Sequence, residues 1–89
     1  MKINPRLTLR NVAGENMVLL MGHRPGDQSH ILVFNNTSCF LWNEFKDIDF
    51  TESDIVRLLL DHFKVSDEQA LSDAQQWVST LRLNNAVLD

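Results

Sequence analysis

Chemistry in this 89-residue chain would have to start from very few side chains. A catalytic constellation requires a nucleophile, a base and a group that orients the base. The one thiol is Cys39, within the apolar stretch Ser38-Cys39-Phe40-Leu41. There a cysteine behaves as a small hydrophobe rather than as a nucleophile. His23, His30 and His62 lack the close spacing by which two histidines and a carboxylate share a metal ion. Asp47-x-Asp49-x-Thr51 opens like a calcium loop, but Glu52 stands where such a loop needs glycine and Leu58 where it needs glutamate. The three glycines are isolated in turns, so no backbone loop cradles a phosphate. The residues predict neither catalysis nor a cofactor.

Three strands and three helices are expected to carry these residues. Leu7–Val12 alternates apolar and polar positions, the period of a half-buried strand. Ala13-Gly14-Glu15-Asn16 supplies turn chemistry, and Met17–Met21 is an apolar run of strand length. Pro25-Gly26 predicts a type II turn before a third strand, His30–Phe34. Asn35, Asn36 or Thr37 can cap a helix reaching about Lys46. Thr51 with Asp54, and Ser66 with Gln69, read as two capping boxes. The helix after Thr51 carries an apolar stripe of Ile55, Val56, Leu59, Leu60 and Phe63. The longest helix, after Ser66, turns Ala70, Leu71, Ala74, Trp77, Val78 and Leu81 to one face. Glu52 and Asp54, then Asp67 and Glu68, open the second and third helices, and Lys46, Lys64 and Arg82 stand near the three helix ends, which complements the helix dipole. Asn84-Asn85 ends the last helix, and Ala86-Val87-Leu88 is expected to fold back on the core. Trp42 and Trp77 lie on apolar stripes and read as core.

The fold class is therefore α+β, a three-stranded antiparallel meander followed by three helices, in one domain over residues 1–89. An apolar fraction of 44% suffices for one core. No apolar run approaches the roughly 20 residues of a membrane span, and residues 1–10 lack the apolar stretch of a signal peptide. With one cysteine no internal disulfide can form, which favours a reducing compartment and hence the cytoplasm. The net charge of −4 is uneven. Residues 1–34 carry four bases against two acids, whereas residues 35–89 carry four bases against ten acids. The long helix has Asp67, Glu68 and Asp73 against Arg82 alone. A helix meant for nucleic acid would be basic, so DNA is disfavoured as a partner.

The most distinctive segment is Phe34-Asn35-Asn36-Thr37-Ser38-Cys39-Phe40-Leu41-Trp42. It resembles the strand-to-helix junction of the PqqD-like family, whose pattern runs Leu-Asn-x-Thr-Ala-x-x-Ile-Trp. Asn35, Thr37 and Trp42 match directly, while Phe34, Ser38 and Leu41 replace Leu, Ala and Ile. The helix start at Thr51 to Ile55, the Asp73, Trp77 and Leu81 spacing, and Asn4-Pro5-Arg6 before a strand are also similar to that family.

The resemblance implies a winged-helix-like domain that binds the leader segment of a ribosomally made precursor peptide. The leader would add as a strand to the third strand, beside the third helix, for presentation to a modifying enzyme, often a radical S-adenosylmethionine protein. The residues are compatible with this. His30–Phe34 contains neither Pro nor Lys to blunt its edge and is apolar on both faces. The expected peptide contacts are Ile31, Leu32 and Val33 on the strand and Asp73, Gln76 and Thr80 on the long helix. Two other classes stand beside this reading, a winged-helix DNA-binding module and a non-catalytic structural subunit. The Val87-Leu88 segment or another subunit could instead cover the strand edge.

Overall fold

A computed structural model of the chain describes residues 1–20 and 30–88. The element order is β1 (Lys2–Ile3), β2 (Leu9–Val12), β3 (Glu15–Leu20), β4 (His30–Phe34), α1 (Asn36–Phe45), α2 (Glu52–His62), α3 (Asp67–Leu83) and β5 (Val87–Leu88). It is an α+β fold: β2, β3 and β4 form an antiparallel sheet in that order, and three helices follow. The expected Pro25-Gly26 turn and the end of the second strand at Met21 lie outside the described residues.

The β2–β3 hairpin closes more tightly than the turn residues suggested. Ala13 and Gly14 alone form the loop, with φ of 53° and 84°. Both values are positive, as the type I′ turn requires, and its twist matches that of the strands it joins. Glu15 and Asn16 thereby enter β3, opposite Val12 and Asn11. At its other end β2 begins at Leu9, not Leu7. Leu7 N–H donates to Asn4 C=O at 3.1 Å, and Arg6 N–H to Asn4 Oδ1 at 3.0 Å, so a turn around Pro5 takes up these groups.

Capping follows the sequence with one exception. Asn35 caps α1, and Thr51 with Asp54 completes a reciprocal capping box on α2. Ser66 Oγ accepts from Gln69 N–H at 3.1 Å, but the Gln69 side chain turns forward and donates to Asp73 Oδ1 at 2.7 Å. The second box is therefore only half formed. Helix α3 ends in a Schellman motif: Asn85, at φ 55°, donates to Arg82 C=O and Ala86 N–H reaches back to Leu81 C=O. Arg82 lies in the last turn of α3 and Lys46 caps α1, but Lys64 stands beyond the end of α2.

The inner sheet face and the three helices share one core. Val18, Leu20 and Phe34 meet Trp42, Phe50, Ile55, Leu59, Trp77 and Leu81, all buried. Phe45 and Phe50 stack with centroids 4.7 Å apart. Two expected apolar stripes are narrower than their sequences suggest. On α2, Ile55 and Leu59 are buried while Leu60 is exposed, and Phe63 falls past the helix end with its ring edge-on to Phe40. On α3, Leu71 is exposed. Cys39 is half-buried against this core rather than within it.

The chain end was expected to fold onto the core, and Ala86 and Val87 are buried. What the alternation of residue types did not indicate is that Val87–Leu88 pairs with Lys2–Ile3 as a second small sheet. Two-residue strands are too short to show a period. The Met1 ammonium sits nearby, donating to Asp49 Oδ1 and to Phe50 C=O, each at 2.8 Å. That contact holds the exposed Asp49 carboxyl below the usual range. No helix among the described residues is long and apolar enough to cross a membrane.

Candidate functional site

Hairpin geometry determines which backbone groups of β4 are free. In a two-residue hairpin the flanking pair, here Val12 and Glu15, exchanges both ladder bonds. Along β3, alternate residues then face opposite neighbours, so Glu15 and Met17 bond to β2 while Asn16, Val18 and Leu20 bond to β4. Their partners on β4 are Phe34, Leu32 and His30. The N–H and C=O groups of Ile31 and Val33 consequently point to the outer edge. No described strand pairs with that edge. Since β5 is taken up by β1, the Val87-Leu88 segment does not cover it.

Helix α3 runs beside this edge and encloses a groove of about 690 Å³. Leu32, Phe34, Leu41 and Trp77 supply apolar surface from the sheet, α1 and the helix. The α3 flank contributes Ser72, Asp73, Gln75, Gln76, Ser79, Thr80 and Leu83, residues that recur at three- and four-residue spacing along one side. From Ser72 to Leu83 the helix rises ~16 Å, about the length of five extended residues. The β4–α1 junction closes one side with Asn35, Thr37 and Ser38. Asn35 Oδ1 accepts from Ser38 N–H at 2.8 Å, which caps α1 at that point. Immediately behind it the Phe34 ring meets the Trp42 ring edge-on at 5.5 Å.

Five of the six expected contact residues, Leu32, Val33, Asp73, Gln76 and Thr80, border this groove, Val33 by its backbone alone because its side chain, 63% exposed, is on the opposite face of the sheet. Ile31 does not. Its side chain stands on the opposite face of the sheet, 53% exposed, and only its backbone reaches the edge. Strand alternation puts it there beside Leu19 and Val33, and nothing among the described residues covers that face. Sequence reasoning missed the contributions of Asn35, Thr37 and Ser38, although their segment was already distinctive. It also missed Leu83, 84% exposed, whose signal was an apolar residue on the polar flank of a helix.

Asp73 is the only charged side chain among the described residues that line the groove. It is half-buried, and no cation among the described residues pairs with it. Trp77 is buried as expected, and its indole Nε1 has no hydrogen-bond partner among the described residues. Burying so large a ring contributes roughly 4–6 kcal/mol, against about 1–3 kcal/mol for one unmet donor, so packing prevails. Burial also raises the Cys39 thiol above its ordinary pKa. No three His, Cys, Asp or Glu side chains gather as metal ligands among the described residues.

The sequence model of one family, described as coenzyme PQQ synthesis protein D (PqqD), matches residues 16–87. The match runs from β3 through the groove-forming elements to β5. No curated protein and no solved structure matches the chain. With most of its length covered by that family model, the chain belongs to the PqqD family.

Proposed function

We propose that this protein is a non-catalytic peptide carrier in the biosynthesis of a ribosomally derived product. In this reading the leader segment of a precursor peptide adds to β4 as a further antiparallel or parallel strand. The domain, winged-helix-like in its arrangement, then presents the peptide to a modifying enzyme, a radical S-adenosylmethionine protein being the expected kind. The observation that carries the proposal is the edge of Ile31 and Val33, paired with no strand among the described residues, lying beside the groove under α3. Strand addition draws affinity from backbone hydrogen bonds and specificity from pockets for alternate side chains, and the groove offers both. Membership of a family described by coenzyme synthesis supports a biosynthetic setting.

A winged-helix DNA-binding role would call for a basic helix, and α3 carries Asp67, Glu68 and Asp73 against Arg82. Affinity capture from a lysate of the source organism, with and without nuclease, separates the two readings. A short peptide recovered regardless of nuclease, and lost with Val33→Pro, supports the carrier. Capture that depends on nucleic acid overturns it.

A further inference from the structure

We infer that the groove selects peptides bearing a lysine or arginine at the position that passes Asp73. This rests on the carrier reading above and specifies what the carrier accepts. Every other lining side chain among the described residues is neutral, so among them one carboxylate supplies the charge that an incoming peptide meets. Asp73 is half-buried, and Gln69 Nε2 donates to its Oδ1 at 2.7 Å, which holds the carboxylate in place on the helix flank. Around it are polar Ser72 and Gln76 and the apolar Trp77.

An extended peptide closing over this site displaces water and lowers the local dielectric, which strengthens attraction to a cation and raises the cost of an unpaired carboxylate. A peptide with a neutral or acidic residue at that point would desolvate Asp73 without replacing its water. One with Lys or Arg would form a charge-assisted hydrogen bond. Discrimination thus comes from both sides, an attraction to the basic peptide and a penalty for the rest.

The test is selection of a displayed library of random 14-residue peptides on the wild-type chain, Asp73→Asn, Asp67→Asn and Val33→Pro, each variant first checked for an unchanged circular dichroism spectrum. Wild type should enrich peptides with Lys or Arg at one aligned position. Asp67→Asn, which alters an exposed acid outside the groove, should preserve that enrichment, and Asp73→Asn should abolish it. A synthesised winner should bind Asp73→Asn on the order of tenfold to a hundredfold more weakly. Peptides that depend on Val33 but show no basic position, or that bind Asp73→Asn as well as wild type, overturn this inference and leave the carrier standing. Basic enrichment that falls equally with Asp67→Asn reduces it to general attraction by an acidic protein and also overturns it. If no selected peptide depends on Val33, the carrier reading falls, and the inference with it.

Discussion

The rings of Phe34 and Trp42 meet edge-on, with centroids 5.5 Å apart and planes inclined at 65°. They belong to the last residue of β4 and to the second turn of α1, on either side of the Asn35 cap. The pair therefore sets the angle at which the strand leads into the helix, and so the shape of one wall of the groove. Trp42→Ala removes a ring that is 2% exposed and should cost ~3–5 kcal/mol of stability. Trp42→Phe should cost less, because an aromatic contact to Phe34 survives. Urea unfolding followed by circular dichroism would measure both.

The cap itself has a separable effect. Asn35 Oδ1 satisfies the Ser38 N–H, one of the donors left over at the start of α1. Asn35→Ala should lower stability by ~1 kcal/mol, and Asn35→Ser should restore most of it. Equal loss in both variants, measured as the shift in urea midpoint at constant slope, would show that the side chain acts through something other than the cap.

Ala13 offers a gain. Its φ of 53° places a residue with a Cβ in the left-handed region, where asparagine is better accommodated. Ala13→Asn creates the Asn-Gly pair favoured by type I′ turns and should stabilise the hairpin by up to ~1 kcal/mol. Ala13→Val should act in the opposite direction. Thermal melts of the two variants would give opposite shifts.

Cys39 should be a slow thiol. Burial holds its pKa above the ordinary value, so less thiolate is present at a given pH. Alkylation by iodoacetamide at pH 8 should run slower in the folded chain than in the urea-unfolded chain, and should continue to accelerate above the pH at which the unfolded thiol levels off. The folded state holds this proton more tightly than the unfolded state does. Its stabilising contribution is therefore complete below the unfolded pKa and is lost as pH rises through and beyond it.

What the sequence determined by itself was local. The Thr51–Asp54 box and the Asn35, Ser66 and Asn84-Asn85 boundaries depend on hydrogen bonds spanning a few residues, so residue types at short spacing suffice to place them. Strand and helix order followed in the same way from apolar periods. Leu60 and Leu71 mark the limit of that reasoning: each continues an apolar pattern on its helix, but the neighbouring elements extend only far enough to cover part of the stripe. The Gln69 side chain likewise chose between Ser66 and Asp73, two partners that are equally local.

Only the tertiary structure decided which strand edge remains free and what stands beside it. Val87–Leu88 was a candidate to cover β4, and its pairing with Lys2–Ile3 across nearly the whole chain removed that possibility. Two residues carry no period to announce such a pairing, and its partner lies 84 or more positions away. The same holds for the groove: Leu32 and Asp73 are neighbours across it because α3 packs against the sheet, not because of any spacing between them. Periodicity reports which face of an element is buried. Which faces meet, and which edge is left open between them, depends on how long-range burial is shared among all the elements at once.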